Sequence, residues 1–323
     1  MAIQTFDELY GQTMELYGQQ AFGDALTLLT EHGERFPEHA PMILYLRSCL
    51  AARSEQPELA LDLVQQALDR GFWYGEQVMR ETPSWQSFQG LPAFERLAEI
   101  NIARERAAQA EPQLLTKEPA QGCTEERACP LFVALHGNGD TAANTLVAWE
   151  TVTNWGWLLA APQSSQLLTV NSPVWNNQEI AVRDVAQHYA ALQTQFNIDS
   201  ERCIVAGFSM GGETALRVAL SGTIPARGFV LLGPGGPTIE TPDAWLPLIE
   251  QGAARGMRGY IFVGEEDTGI PQDRIRSLVE LLNTHNLPCV FETLPDLRHV
   301  YPPDFAPALD RALSFIESQT DKN

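Results

Sequence analysis

From residue 131 onward the sequence alternates two kinds of segment, and this alternation limits the fold more than any other feature. LFVALHG (131–137), WLLAAP (157–162), RCIVAGF (202–208), GFVLLGP (228–234), GYIFVG (259–264) and CVFETL (289–294) are short apolar runs rich in β-forming residues. Helical patterns lie between most of them, at roughly 176–195, 211–221, 272–285 and 304–318. A strand that is apolar on both faces must be covered on both, and parallel neighbours need a crossover that a helix supplies. The pattern predicts the α/β class, with a mostly parallel sheet between helical layers.

Before about residue 112 no strand-like run stands out. Met14, Leu16, Tyr17, Leu26, Leu28, Leu29 and Phe36, then Ile43, Leu44, Leu46 and Leu50, then Leu59, Leu61, Leu63, Val64 and Leu68 recur at mixed three- and four-residue steps, which gives helices with one apolar face each. There is a faint repeat: ALTLLTEHGERFP starts at Ala25 and ALDLVQQALDRGF at Ala60, an offset of 60 − 25 = 35 residues. That is close to the ~34-residue period of tetratricopeptide helix pairs. The expected organisation is a helical, TPR-like domain over 1–111 and an α/β domain over 112–323, with 111–130 as a Pro- and Gly-bearing linker that merges into the first strands of the second domain. The helical layer is expected to cap the rest, or to offer a surface to a protein partner or to a second copy.

Charge and cysteine content narrow the partners. Lys plus Arg is 21 and Asp plus Glu is 41, so the net charge is −20. Such a field repels nucleic-acid phosphates and anionic lipid heads. No run of apolar residues is long enough to span a bilayer, and MAIQTFDELYGQ lacks the basic and apolar regions of a signal peptide. Cys49, Cys123, Cys129, Cys203 and Cys289 are odd in number and lack metal-ligand spacing. They are expected to be reduced thiols in a cytoplasmic protein; a Cys123–Cys129 bond would need an oxidising compartment. Neither a metal nor an organic cofactor is expected.

The chemistry is concentrated in RCIVAGF-Ser209-MGGETALRVAL, which reads strand, tight turn, helix. Gly207 and Gly211 flank the serine at two residues on either side, where larger side chains would collide if Ser209 stood on a sharp turn clear of the sheet. A helix that starts there points free N–H groups at a developing oxyanion. A serine hydroxyl needs a base, and the base needs a carboxylate. Downstream, His285 falls in a helical pattern, whereas His299 lies in a loop after the last apolar run, where a base belongs. Asp267, in the loop after GYIFVG, is the expected acid; Glu265, Glu266 and Asp296 compete with it. The oxyanion donors are expected to be the N–H groups of Met210 and of Asn138, with Gly139 as the fallback. Asn138 and Gly139 lie in HGNGD, the loop that leaves the first central strand. His136 is expected to be buried and structural.

LHGNGDTA, GFSMGG, DTGIP and RHVYPPDF follow one another in an order that resembles the α/β-hydrolase superfamily over about 113–318. Within it, the motifs are most similar to the phospholipase/carboxylesterase and acyl-protein thioesterase branch. The resemblance implies a serine esterase or thioesterase with Ser209 as nucleophile, Asp267 as acid and His299 as base. Trp175, in PVWNNQE, and Gly139 would then lie near the substrate pocket. The chain departs from that branch at Asn138 and Met210, where an apolar residue and a Gln are usual, and in carrying the helical segment at all. Two other readings remain open: a peptidase of the prolyl-oligopeptidase type, and a TPR-like binding protein with a catalytically silent hydrolase domain.

Overall fold

The three- and four-residue apolar steps form helices in a computed structural model that describes residues 3–108, 113–170 and 172–318. These are α1 (Phe6–Gly18), α2 (Phe22–His32), α3 (Ala40–Arg53), α4 (Pro57–Asp69), the short α5 (Glu76–Glu81) and α6 (Pro92–Ala107). The faint repeat has a structural counterpart. Ala25 and Ala60 are each the fourth residue of their helix, α2 and α4, and each is fully buried. The main chain divides into two compact units, 1–109 with 167–171, and 110–166 with 172–323. The segment 167–171 joins the first unit because Gly75 N–H donates to the Leu168 carbonyl at 2.8 Å. Leu167 and Val170 also pack on the helical core.

The apolar runs become one seven-stranded sheet. The strands in chain order are β1 (Leu114–Lys117), β2 (Cys129–Leu135), β3 (Leu158–Pro162), β4 (Leu167–Thr169), β5 (Ser172–Pro173), β6 (Ile198–Phe208), β7 (Ala226–Leu232), β8 (Arg258–Gly264) and β9 (Cys289–Leu294). Across the sheet the order is β1-β3-β2-β6-β7-β8-β9, with β4 and β5 outside it. Only β1 runs antiparallel to its neighbour. Further helices are α7 (Ala142–Ala148), α8 (Gln178–Gln195), α9 (Met210–Ser221), α10 (Leu246–Ala254), α11 (Gln272–Thr284) and α12 (Ala306–Glu317).

Alternation along the strands divides the core. Leu131, Val133, Leu135 and Val205 pack with Val185, Leu216, Ile249 and Leu278 from α8, α9, α10 and α11. Phe132, Ala134, Ile204 and Ala206 pack on the other face, with Leu309 and Ile316 of α12 and with Trp149 and Trp157. The α/β-hydrolase architecture with a helical region before it is therefore present. Strand β1 was not legible, because its four residues are too few to establish a period and they lie in the stretch read as linker. Among the described residues no helix is long and apolar enough to cross a membrane.

The expectation of five reduced thiols is corrected. Cys123 and Cys129 form a disulfide, while Cys49, Cys203 and Cys289 are free and buried. Reciprocal backbone bonds of 3.1 Å between Thr124 and Arg127 fold the segment back on itself. The two Cα atoms come to 5.4 Å, inside the range a disulfide bridges. The cysteine count therefore no longer argues for a reducing, cytoplasmic setting.

The order of the strands fixes where a site can form. The chain leaves β2 for β3 on one side and later returns to β6 on the other, so a crevice opens beyond the carboxyl ends of β2 and β6. Helix α9 crosses that end at the closest possible approach. A Cβ on Gly211 would lie 2.2 Å from the His136 carbonyl oxygen, and one on Gly207 would lie 2.2 Å from the Gly211 oxygen. Backbone atoms cannot rotate out of the way. Gly211→Ala is expected to cost at least ~2 kcal/mol, seen as a lower urea midpoint. Gly23→Ala, on α2 with open space around it, is expected to raise stability by ~0.5–1 kcal/mol.

Candidate active site

The last residue of β6 is Phe208 and the first of α9 is Met210, so Ser209 alone makes the turn between them. Its backbone is at φ 54°, ψ −125°, a conformation that costs a non-glycine residue roughly 1–3 kcal/mol. Four backbone bonds hold it there. Ser209 N–H donates to the Leu232 carbonyl at 3.1 Å, and its own carbonyl accepts from Gly212 at 2.8 Å, Gly235 at 3.0 Å and Glu213 at 3.4 Å.

Two residues far along the chain meet the hydroxyl. Ser209 Oγ is 2.9 Å from His299 Nε2, and His299 Nδ1 is 2.7 Å from Asp267 Oδ2. With the imidazole proton assigned to Nδ1, that N–H donates to Asp267, and Nε2 accepts from the serine hydroxyl. The Asp267 side chain is buried, and its other oxygen accepts from Gly269 N–H at 3.0 Å. The loops that carry acid and base are joined main chain to main chain: Glu265 N–H donates to Leu294 and Glu266 N–H to Leu297. Of the competing acids, Glu266 turns outward to Arg298, Glu265 is exposed, and Asp296 occupies a turn at φ 53°. His285, the other downstream histidine, caps the end of α11 with its ring on the Leu281 carbonyl.

The loop that leaves β2, where the oxyanion donors were expected, runs from His136 to Asp140. Among the described residues neither the Asn138 N–H nor the Met210 N–H donates to a protein acceptor, so both are free for a ligand oxygen. Gly139 is different: at φ 77° it turns its N–H to the Pro173 carbonyl at 2.8 Å, which removes it as the fallback donor. Trp175 is completely buried beside the same loop: its indole N–H holds the His136 carbonyl at 2.9 Å and its ring packs on the His136 imidazole.

His136 is buried as expected. Ser164 N–H donates to its Nε2 at 3.1 Å, so the ring proton sits on Nδ1, which meets the Gly137 carbonyl at 2.8 Å. Desolvation pushes its pKa down to about 4, which keeps the ring neutral. As pH falls, the unfolded chain protonates first, near 6.5. Stability from the neutral ring is complete above that value, is lost as pH falls towards 4, and declines no further below it. Burial lowers the pKa of His188 too, with the same sign. His136→Gln is therefore expected to lose less stability than the parent between pH 6.5 and pH 4. Denaturant titrations across that window measure the difference.

Sequence reasoning missed several groups around the serine. A Cβ on Gly233, at φ 49°, would come within 3.2 Å of His299 Nδ1 and 3.3 Å of Asp267 Oδ2, so this glycine lets the loop after β7 lie over the acid–base pair. The Glu213 carboxylate is buried beneath the start of α9 and anchors the same loop, accepting from Thr238 at 2.9 Å and Ile239 at 3.2 Å. The Phe208 ring packs on His299 with centroids 4.7 Å apart, and Tyr301 packs on Phe208 at 4.6 Å. The run GPGGP was the one visible signal for the loop. Among the described residues no group of three or more His, Cys, Asp or Glu could hold a metal ion.

Comparison with known proteins finds relatives for both parts of the chain. A family model for the dienelactone hydrolase family matches residues 161–311. That span contains Ser209, Asp267 and His299 and begins after the loop that leaves β2. A model for an A/B hydrolase-like N-terminal domain matches residues 5–109. Among solved structures, an uncharacterized protein from Bacillus cereus ATCC 10987 is 25% identical, covering 97% of this chain and 99% of its own, with a TM-score of 0.55. Esterase PE8 is 16% identical, covering 64% of this chain and 98% of its own, at a TM-score of 0.51; this likeness is one of fold. No curated protein matches. Both family models and the fold are those of the α/β-hydrolase superfamily, which the chain resembles over most of its length. A hydrolase is the class of protein that these family matches support.

Proposed function

We propose that this protein is a serine hydrolase that cleaves carboxylic esters or thioesters through an acyl-enzyme. The observation that carries the reading is the continuous hydrogen-bond chain Ser209–His299–Asp267, at 2.9 and 2.7 Å, beside two uncommitted N–H groups. In this reading His299 Nε2 takes the hydroxyl proton while Ser209 Oγ attacks the carbonyl carbon. Asp267 holds the ring in the correct tautomer and stabilises the imidazolium. The oxygen that gains charge accepts from Asn138 and Met210 N–H, each such donor supplying roughly 2.7–4 kcal/mol to the transition state. The positive end of α9 acts in the same direction. Collapse of the tetrahedral intermediate breaks the bond to the leaving alcohol or thiol, which departs with the proton from Nε2. Water, deprotonated by the same imidazole, then attacks the acyl-enzyme, releases the acid and restores the serine.

The division of labour belongs to the same reading, with chemistry in 112–323 and a helical accessory region in 1–111. A small-molecule acyl substrate is its natural partner. Hydrolysis of p-nitrophenyl butyrate by the full chain tests it. Ser209→Ala should lower kcat on the order of 10⁶-fold, and Asp267→Asn on the order of 10⁴-fold. A fluorophosphonate probe should label the parent and not Ser209→Ala. Equal turnover by the parent and Ser209→Ala would overturn the assignment. A series of acyl chain lengths would then show the pocket's reach as an optimum, each accommodated methylene contributing roughly 0.8 kcal/mol.

A further inference from the structure

The residue that follows His136-Gly137 is an asparagine, and its side-chain oxygen and nitrogen each make a hydrogen bond. Asn138 Oδ1 accepts the Trp175 backbone N–H at 2.9 Å, and Asn138 Nδ2 donates to Asn176 Oδ1 at 2.7 Å. The neighbouring Gly139 N–H reaches the Pro173 carbonyl at 2.8 Å, and the Trp175 indole N–H reaches the His136 carbonyl at 2.9 Å. Four bonds therefore fasten the loop after β2 to the segment 173–176. Two of the four come from the side chain of the one residue whose own backbone N–H has no protein acceptor among the described residues.

We infer that the Asn138 side chain is a positioning residue that aims its own backbone N–H at the oxyanion. The inference rests on the reading of Ser209 as nucleophile and extends it. An oxyanion donor acts through its direction, because a dipole already aligned with the developing charge needs no reorganisation during the reaction. The peptide between Gly137 and Asn138 follows a glycine, which gives it little intrinsic preference, and the loop is exposed at Asn138. A primary amide suits this role because one planar group both accepts and donates, and so fixes the residue against translation and against rotation. Both partners lie on the segment that Trp175 buries into the core, so the amide ties the loop to the rigid part of the molecule.

The test compares Asn138→Ala, Asn176→Ala and the double variant with the parent and Ser209→Ala in the full chain. Active sites are counted by fluorophosphonate titration, and kcat is expressed per labelled site. Asn138→Ala is expected to lower kcat on the order of 10–100-fold, with KM changed less than about threefold, since misaimed machinery loses rate before affinity. Its affinity for a trifluoromethyl ketone, which places an oxyanion in the hole, should fall in parallel with kcat/KM. Asn176→Ala should lose less, and the double variant should be no worse than Asn138→Ala, because Asn176 acts through Asn138. If Asn138→Ala keeps the parental kcat per labelled site, or if the two effects add, the inference is overturned even while Ser209→Ala is inactive. If Ser209→Ala is as active as the parent, the underlying reading fails and this inference with it.

Discussion

The first turn of α9 lies against the end of β2 with no side chain between them, and the rest of the site depends on that contact. Gly211 meets the His136 carbonyl there, and Gly207 meets Gly211. Because the helix approaches so closely, Ser209 has one residue in which to reverse the chain and takes a backbone conformation that only its surroundings can sustain. The same approach sets the loop leaving β2 beside the first N–H of the helix. The strained Ser209, the loop after β2 and the helix terminus are thus three results of one backbone crossing. The loop after β7 completes the arrangement: Gly235 bonds the Ser209 carbonyl, and Gly233 leaves room for the imidazole and its carboxylate.

What could be read in advance was what local sterics enforce. A serine between glycines two residues away on either side, after an apolar strand and before a helical pattern, carries its geometry in its own sequence. The apolar runs did so as well: β9 matches its expected bounds, and β6 differs only in starting at Ile198. Asp267 and His299 could be nominated because each lies in a loop after a strand, but Glu265 and Glu266 share the first of those loops and only the structure turns them outward. What could not be read depended on groups distant in sequence. Trp175 sits beside the site, yet as a buried brace for the loop. Glu213 looks like any polar residue of a first helical turn until the loop 238–239 is seen to rest on it. The cysteine spacing at 123 and 129 was visible, but the turn that brings the two together was not.

Asp267 and His299 arise from adjacent loops that are bonded main chain to main chain, which makes their relative placement a property of β8 and β9 and not of the side chains alone. Strand β9 is also the last in the sheet. A terminal strand offers its unpaired backbone groups to any extended segment of another molecule. Here Glu292 stands in the middle of that strand, tied to Arg311 and to the Tyr260 hydroxyl. A fixed charge at that position opposes strand addition, so the rim that presents the imidazole is also shielded from cross-β association with neighbouring molecules.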